Sequence, residues 1–426
     1  MKNKILPLVL VVLLGLQLTN CNSDDDGIGL TDPVAVTVPV IMSKTEMRNS
    51  ISVQSAQSTN SDGKIYVYND LLFYIAQNSG IHIFDNQNPA SPQNLVFIQL
   101  EGVNDISVKD NILYADNFMD LVVFDISNIS NIQLLNIEED MLTFYAAFPD
   151  DSLYFQYNQS LEEDEFISAY ETVYMERDDV ENDPDIFSYT TDVFVDIALS
   201  SENGGYNIGT GGSYAKFQIF NNALYTIDDF RLFTFDITDY NNISLSAETW
   251  MGGWFGGAEL ETTYILKNNL FIGATNGMHI VSLQNEFSPT YMSSFLHATG
   301  CDPVVVEGNT AYITVRGGNG CGAIEDQVNI IDVTDLSSPV EYSTYFLSSP
   351  YGLGVKDQVL YVCNDNGINV FDAQNPNGIT LENTYSVNAK DVIALSTHLI
   401  AVGENVIHQY NYTDNFGLEL IDSIQF

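Results

Sequence analysis

Short apolar runs, each closed by Asn, Asp, Gly or Pro, succeed one another along most of this chain. Ile112-Leu-Tyr-Ala115, for example, lies between the polar turn Lys109-Asp-Asn111 and the run Leu121-Val-Val-Phe-Asp125. Runs this short, rich in β-branched and aromatic residues, read as strands. A helix needs a longer run with a 3.6-residue period, and none follows Cys21. One strand returns in altered copies: Gly80-Ile-His-Ile-Phe-Asp85, Leu121–Asp125, Leu232-Phe-Thr-Phe-Asp236, Val328-Asn-Ile-Ile-Asp332 and Ile368-Asn-Val-Phe-Asp372, with weaker copies ending at Ser282 and Asn411. From Asp85 to Asn411 the spacings are 40, 111, 46, 50, 40 and 39 residues.

A strand-built repeat of about 40–50 residues is the signature of a β-propeller. The expectation is an all-β chain with a single propeller over residues 63–426. Seven marker strands predict seven blades, within a range of six to eight, starting near Lys64, Val103, Ser213, Ala258, Cys301, Gly352 and Lys390. The long spacing places an insertion or degenerate blade at about residues 140–212, after the second blade. Residues 162–186 of it carry 11 acidic residues and one base, Arg177. Such a run suits a mobile, solvated segment, or an insertion that carries the specific function. Phe166–Tyr170 and Val173-Tyr174 are apolar enough to pair as strands. The marker aspartates recur in blade after blade, which points to turn closure through backbone amides rather than to catalysis. His82 and His279 share one repeat position and read as packing residues.

Ahead of the repeats, Lys2 and Lys4 precede an apolar stretch from Ile5 to Leu16, and Leu18-Thr-Asn-Cys21 ends it. A basic start, a short apolar stretch and a cysteine predict a lipoprotein signal peptide over residues 1–21 with Cys21 as the lipidation site. Residues 22–62 read as an acidic and polar tether with a lead-in to the domain, whose order begins between residues 38 and 63. The formal net charge of −44 argues against nucleic acid or an anionic membrane surface as partner. Membrane contact is therefore expected only through the lipid on Cys21. Of the other cysteines, Cys301 and Cys321 flank the first hairpin of the fifth blade, where an oxidising compartment favours a disulfide. A metal-binding or reactive pair is the alternative. Cys363, within Leu360-Tyr-Val-Cys363, reads as a buried free thiol.

With these residues in view, the chain resembles the LVIVD-repeat β-propeller lipoproteins of Bacteroidetes. The likeness rests on Gly63-Lys-Ile-Tyr66, Gly80–Asp85, Gly211-Gly-Ser213, Asp391-Val-Ile393 and, most specifically, His297-Ala-Thr-Gly-Cys-Asp-Pro-Val-Val-Val306 with Gly320-Cys-Gly322. The acidic Asn22-Ser-Asp-Asp-Asp-Gly27 after Cys21 also resembles the surface-export signal of lipoproteins in that phylum. The resemblance implies an outer-membrane lipoprotein displayed at the cell surface, with the periplasmic face as the alternative, and implies no reaction.

Candidate chemistry gathers where the innermost strands begin, at one mouth of the axial channel. Asp105, Glu261, Asp302 and Asp391 are expected there, with Lys64, Lys216 and Lys390 between them. These carboxylates suit a divalent cation such as calcium, or hydrogen bonds to a glycan. Pairing with the lysines and backbone amides is the competing reading. No Asp-x-Asp-x-Asp-Gly calcium loop occurs, so no cofactor is expected beyond that calcium ion. His297, Asp302 and Arg316 suit acid–base work or bracing of the Gly317–Gly322 loop. Trp250 and Trp254, in a glycine-rich loop between the third and fourth blades, suit sugar stacking or a cap between blades. No Gly-x-Ser-x-Gly elbow, His-Glu-x-x-His or phosphate loop occurs. The expected function is a monomeric, non-enzymatic binding or scaffold module for a protein or glycan partner. A propeller hydrolase or lyase acting on polysaccharide is the alternative.

Overall fold

The computed structural model describes residues 33–58, 63–146, 154–157, 160–188, 208–251, 259–297, 300, 303–317 and 325–426. Seven of its sheets follow the repeat, each an antiparallel meander of four consecutive strands. Their innermost strands are Gly63–Tyr68, Ile106–Lys109, Gln218–Phe220, Leu260–Leu266, Val304–Glu307, Leu353–Lys356 and Asp391–Ala394. We number these blades 1 to 7. Apolar side chains join each blade to the next, and the series closes on itself. Ile393, Ile400 and Ile407 of blade 7 pack with Ile65, Leu72 and Tyr74 of blade 1. Asn86 and Gln409 seal the same junction with two reciprocal amide hydrogen bonds of 2.9 and 2.8 Å.

The two-residue period explains the packing. Phe84, Phe124, Phe235 and Phe371 of the marker strands are buried between blades, and each marker strand shifts register against its outer neighbour. Such a bulge adds local twist, which the curved blades need. Innermost hairpins turn at Asn69, Asp110-Asn111, Asn221 and Asp357-Gln358, all with positive φ, as tight two-residue hairpins prefer. Because the strands alternate in direction, innermost strands start and outermost strands finish on one face, the mouth face. Marker strands finish on the other, the turn face.

Three features depart from the sequence expectation. The ordered chain starts earlier, with strand Val34–Ser43, helix Lys44–Ser50 and strand Ser52–Ser55. The helix begins with a serine N-cap, Ser43 accepting from the Glu46 amide at 3.2 Å. Ser52–Ser55 then adds a strand to the outer edge of blade 1. Residues 34–55 are therefore part of the folded body, where a tether was expected for much of the stretch. The second departure is an eighth sheet, ordered Glu165–Met175, Val34–Ser43, Tyr154–Gln156, Ile186–Ser188. One of its pairs is parallel, so it is not a degenerate blade. The acidic insertion does form the strand its apolar residues suggested, and the lead-in strand is its partner. Met47, Phe118 and Phe166 pack the lead-in helix and this sheet onto blade 2. Arg48 adds a forked contact to the buried carboxylate of Asp120, at 2.6 and 2.9 Å. The third departure concerns the channel.

Candidate functional site

The axial channel is filled by the chain itself. After the insertion, residues 208–216 run from the turn face to the mouth face along the axis, and then enter blade 3. Ile208 bridges Lys109 of blade 2. Thr210 and Gly211 pair with Val67 and Tyr66, adding an innermost strand to blade 1. The Ser213 hydroxyl accepts from the Leu353 amide of blade 6 at 2.8 Å, and the Ala215 carbonyl accepts from Thr263 of blade 4. Between this segment and blades 4 to 7 there remains a cavity of about 20 Å³, enough for about one water molecule. Three glycines, Gly209, Gly211 and Gly212, allow the fit. A Cβ at Gly209 would stand 2.2 Å from the Tyr66 ring, and one at Gly212 would stand 2.0 Å from Asp391 Oδ2.

The mouth acids lie under this segment. Asp105 is buried; its Oδ2 accepts from the Lys216 amide and its Oδ1 from the Ile106 amide. Lys64 Nζ, also buried, lies 3.6 Å from Asp105 Oδ2. Burial pushes the Asp105 carboxyl up and the Lys64 amine down, each opposed by the other's charge. Beside them Asp116 accepts from the Asn104 and Asp105 amides at 2.7 and 2.8 Å, and burial raises its carboxyl to about 7. Asp391 accepts from the Ser213 hydroxyl at 2.5 Å. Burial raises it to about 8, so it is largely neutral at pH 7. Asp105 is thus ion-paired with Lys64 and held by the Lys216 amide, and Asp391 is held by the Ser213 hydroxyl, with its Oδ2 buried and lacking a hydrogen-bond partner among the described residues. Glu261 is buried at a bulge in the first strand of blade 4. Among the described residues no group of three or more His, Cys, Asp or Glu side chains is placed to hold a metal ion.

The remaining expected residues lie as follows among the described residues. His297, half-buried, follows the outermost strand of blade 4, its amide bonded to the Asn276 carbonyl at 3.1 Å. Arg316 lies over the Tyr351 ring at 5.2 Å, and Lys390 lies over the same ring at 3.9 Å. Trp250 is not in an inter-blade loop. It ends the outermost strand of blade 3, 54% exposed, and stacks on Phe230 at 5.8 Å. Cys21, Cys301, Asp302, Cys321 and Trp254 lie outside the described residues. Cys363 is buried and free, and burial raises its thiol well above its usual value. His82 and His279 are buried, with burial lowering each ring to about 4.

This geometry has parallels among solved structures. The chain is similar to a periplasmic gluconolactonase of Pseudomonas aeruginosa, with 9% identity, TM-score 0.52, and 88% of this chain and 96% of that one covered. The chain is a β-propeller. It is also similar to a protein from Lactobacillus plantarum, with 11% identity, TM-score 0.53, and coverage of 85% and 96%. The computationally designed Ika8 protein matches with 10% identity, TM-score 0.50, and coverage of 87% and 88%. At these identities the likeness concerns the propeller fold alone. No family model matches the chain, and no curated protein matches it.

Sequence reasoning missed Asp116 and Ser213 as members of the axial cluster, and did not foresee the plug. The glycines at 209, 211 and 212 were the available signal, because glycines that close together mark an intimate backbone approach.

Proposed function

We propose that this propeller is a non-enzymatic binding module of the bacterial envelope, an LVIVD-repeat lipoprotein held in the outer membrane by lipid on Cys21. It faces the cell exterior and engages a glycan or protein partner as a monomer. The plugged axis carries this reading. Ligands of a propeller ordinarily meet the channel mouth, where many blades contribute at once. Here residues 208–216 occupy that space, and the acids beneath are engaged by Lys64, Ser213 and backbone amides. Binding then falls to the outer surface of the blades and to the eighth sheet. The disulfide between Cys301 and Cys321 belongs to the same proposal.

Replacing Cys21 with serine tests the anchor. Cell fractionation should show the variant lost from the outer membrane, and unchanged retention overturns that part. Protease shaving of intact cells should remove the domain, whereas full protection would put it on the periplasmic side. A screen of the purified protein against polysaccharides, read for binding and turnover together, tests the rest. Turnover would replace the binding module with a hydrolase or lyase. Non-reducing peptide mapping should show Cys301 joined to Cys321.

A further inference from the structure

A second concavity lies off the axis, on the mouth face, where blade 1, the lead-in and the eighth sheet meet. It is a cleft of about 470 Å³, within the size range of small-molecule sites. Its walls bring Phe97, Gln99 and Glu101 from blade 1 and its exit, Asn78 and Ser79 from a turn of blade 1, Gln54 and Gln57 from the lead-in, and Ser168 from the insertion strand. Phe118 reaches it from the hairpin of blade 2. This wall is unlike the rest of the molecule. The chain has 57 acidic residues, yet among the described residues the cleft shows one carboxylate, Glu101, and no lysine or arginine.

The amides are held in place before any ligand arrives. Gln57 donates to Gln54, and Gln54 donates to Gln99 and to the Ser52 hydroxyl. Whichever way the amides are turned, each terminal glutamine keeps one polar side-chain atom outside the relay. The rings are fixed as well. A Cβ at Gly80 would stand 2.5 Å from the Phe97 ring, and one at Gly102 would stand 2.4 Å from the Phe118 ring, so backbone lies flat against both. Phe118 has φ 57°, a left-handed conformation unusual for a bulky residue. Edge contacts to Phe144 and Phe166 at 4.8 and 5.1 Å hold it there. Both rings are largely buried, so the cleft offers mainly uncharged side chains that donate and accept, which complement a molecule with many hydroxyls and no charge.

We infer that this cleft binds a neutral saccharide of one or two pyranose rings. The inference rests on the binding-module reading and names its ligand class. Gln57 and Gln99 bond the hydroxyls, Gln54 holds both in place, and Phe97 and Phe118 back the floor.

The test uses the full chain, purified in a detergent without a sugar headgroup, and saturation-transfer NMR. The probes are cellobiose, maltose and N,N′-diacetylchitobiose, with digalacturonate as the charged comparator. At least one neutral disaccharide should receive saturation more strongly than digalacturonate. Its Kd should rise about tenfold or more in Gln57→Ala/Gln99→Ala, because two hydrogen bonds are lost. Ser168→Trp, which fills the cleft from the other wall, should also abolish binding, and Trp250→Ala should leave it unchanged. The inference is overturned if no neutral probe binds at about 10 mM, if digalacturonate binds better, or if both cleft variants leave binding intact. Loss of binding in Trp250→Ala alone would move the sugar to Trp250 and overturn the cleft. Failure of all the sugars, with Cys21-dependent membrane retention intact, leaves a binding module whose partner is a protein.

Discussion

Two sets of aspartates in this propeller show how place, rather than residue type, decides what a carboxyl does. The marker set, on the turn face, comprises Asp85, Asp125, Asp236, Asp332 and Asp372. Each accepts from the amide two residues on, at 2.8 to 2.9 Å, and closes the turn into the outermost strand. Hydrogen bonds from Ser127 and Thr334 hold the Asp125 and Asp332 carboxyls below the usual range. The axial set, Asp105, Asp116 and Asp391, sits on the mouth face beneath the plug, and burial pushes all three up. The marker set is repeated and locally satisfied. The axial set is irregular: Asp105 and Asp391 take partners from residues 213–216, far away in sequence, and Asp391 Oδ2 is left without a hydrogen-bond partner among the described residues.

The largest test of this contrast removes one partner from each set. Lys64→Ala leaves Asp105 buried without its cation and should destabilise the fold by about 3–5 kcal/mol. Asp125→Ala removes one exposed turn bond and should cost about 1 kcal/mol or less. Urea unfolding measures both, and equal losses would dissolve the distinction.

Next in size is the plug. Gly212→Ala should destabilise by about 1–3 kcal/mol, because its Cβ has no room beside Asp391. Adding Asp391→Ala should recover part of that loss, and a double-mutant cycle reads the coupling. Simple additivity would mean that the two residues do not touch in solution.

The pH dependence separates the sets by sign. Folded Asp116 and Asp391 hold a proton up to about 7 and about 8, whereas the ordinary value is 3.8. Their contribution is fully present below about pH 4 and is lost as pH rises through 7 and 8. Asp125 and Asp332 behave oppositely. Their contribution is present above the ordinary value and disappears as pH falls below it. Melting temperature should therefore decline between about pH 4 and about pH 8 and level off above, and Asp391→Asn should flatten that decline. A variant that keeps the full decline between about pH 4 and about pH 8 would remove Asp391 as its source. The smallest expected effect is the control: Trp250→Ala, at an exposed position outside both sets, should change stability by no more than about 0.5 kcal/mol.

The repeat made the marker set readable in advance. Asp85, Asp125, Asp236, Asp332 and Asp372 occupy one phase of the strand pattern, and their turn-closing role follows from local chemistry. His82 and His279 were legible for the same reason. The mouth positions of Asp105, Lys216 and Asp391 could be aligned from the second strands, but their surroundings could not. What covers them arrives from residues 208–216, whose path is set by packing against blades 1, 2, 4 and 6 and not by periodicity. The eighth sheet was half legible: the apolar residues of Phe166–Tyr170 promised a strand, whereas its partner, Val34–Ser43, lies more than a hundred residues away in the sequence.

The axial segment also orders events in time. It is synthesised after blades 1 and 2 and before blades 3 to 7, and its strand pairing and its bridge are with blades 1 and 2. Chains fold from the N-terminus as they emerge. The segment can therefore settle on two finished blades, and the other five can wind around it as around a mandrel, without a loop being passed through a closed ring. The contact between Ser213 and Asp391 spans 178 positions and must wait for blade 7. A circular permutant beginning at blade 3 and ending with residues 208–216 reverses that order. Its channel would have to be filled last, through a ring already shut, and refolding should slow while the native contacts stay the same.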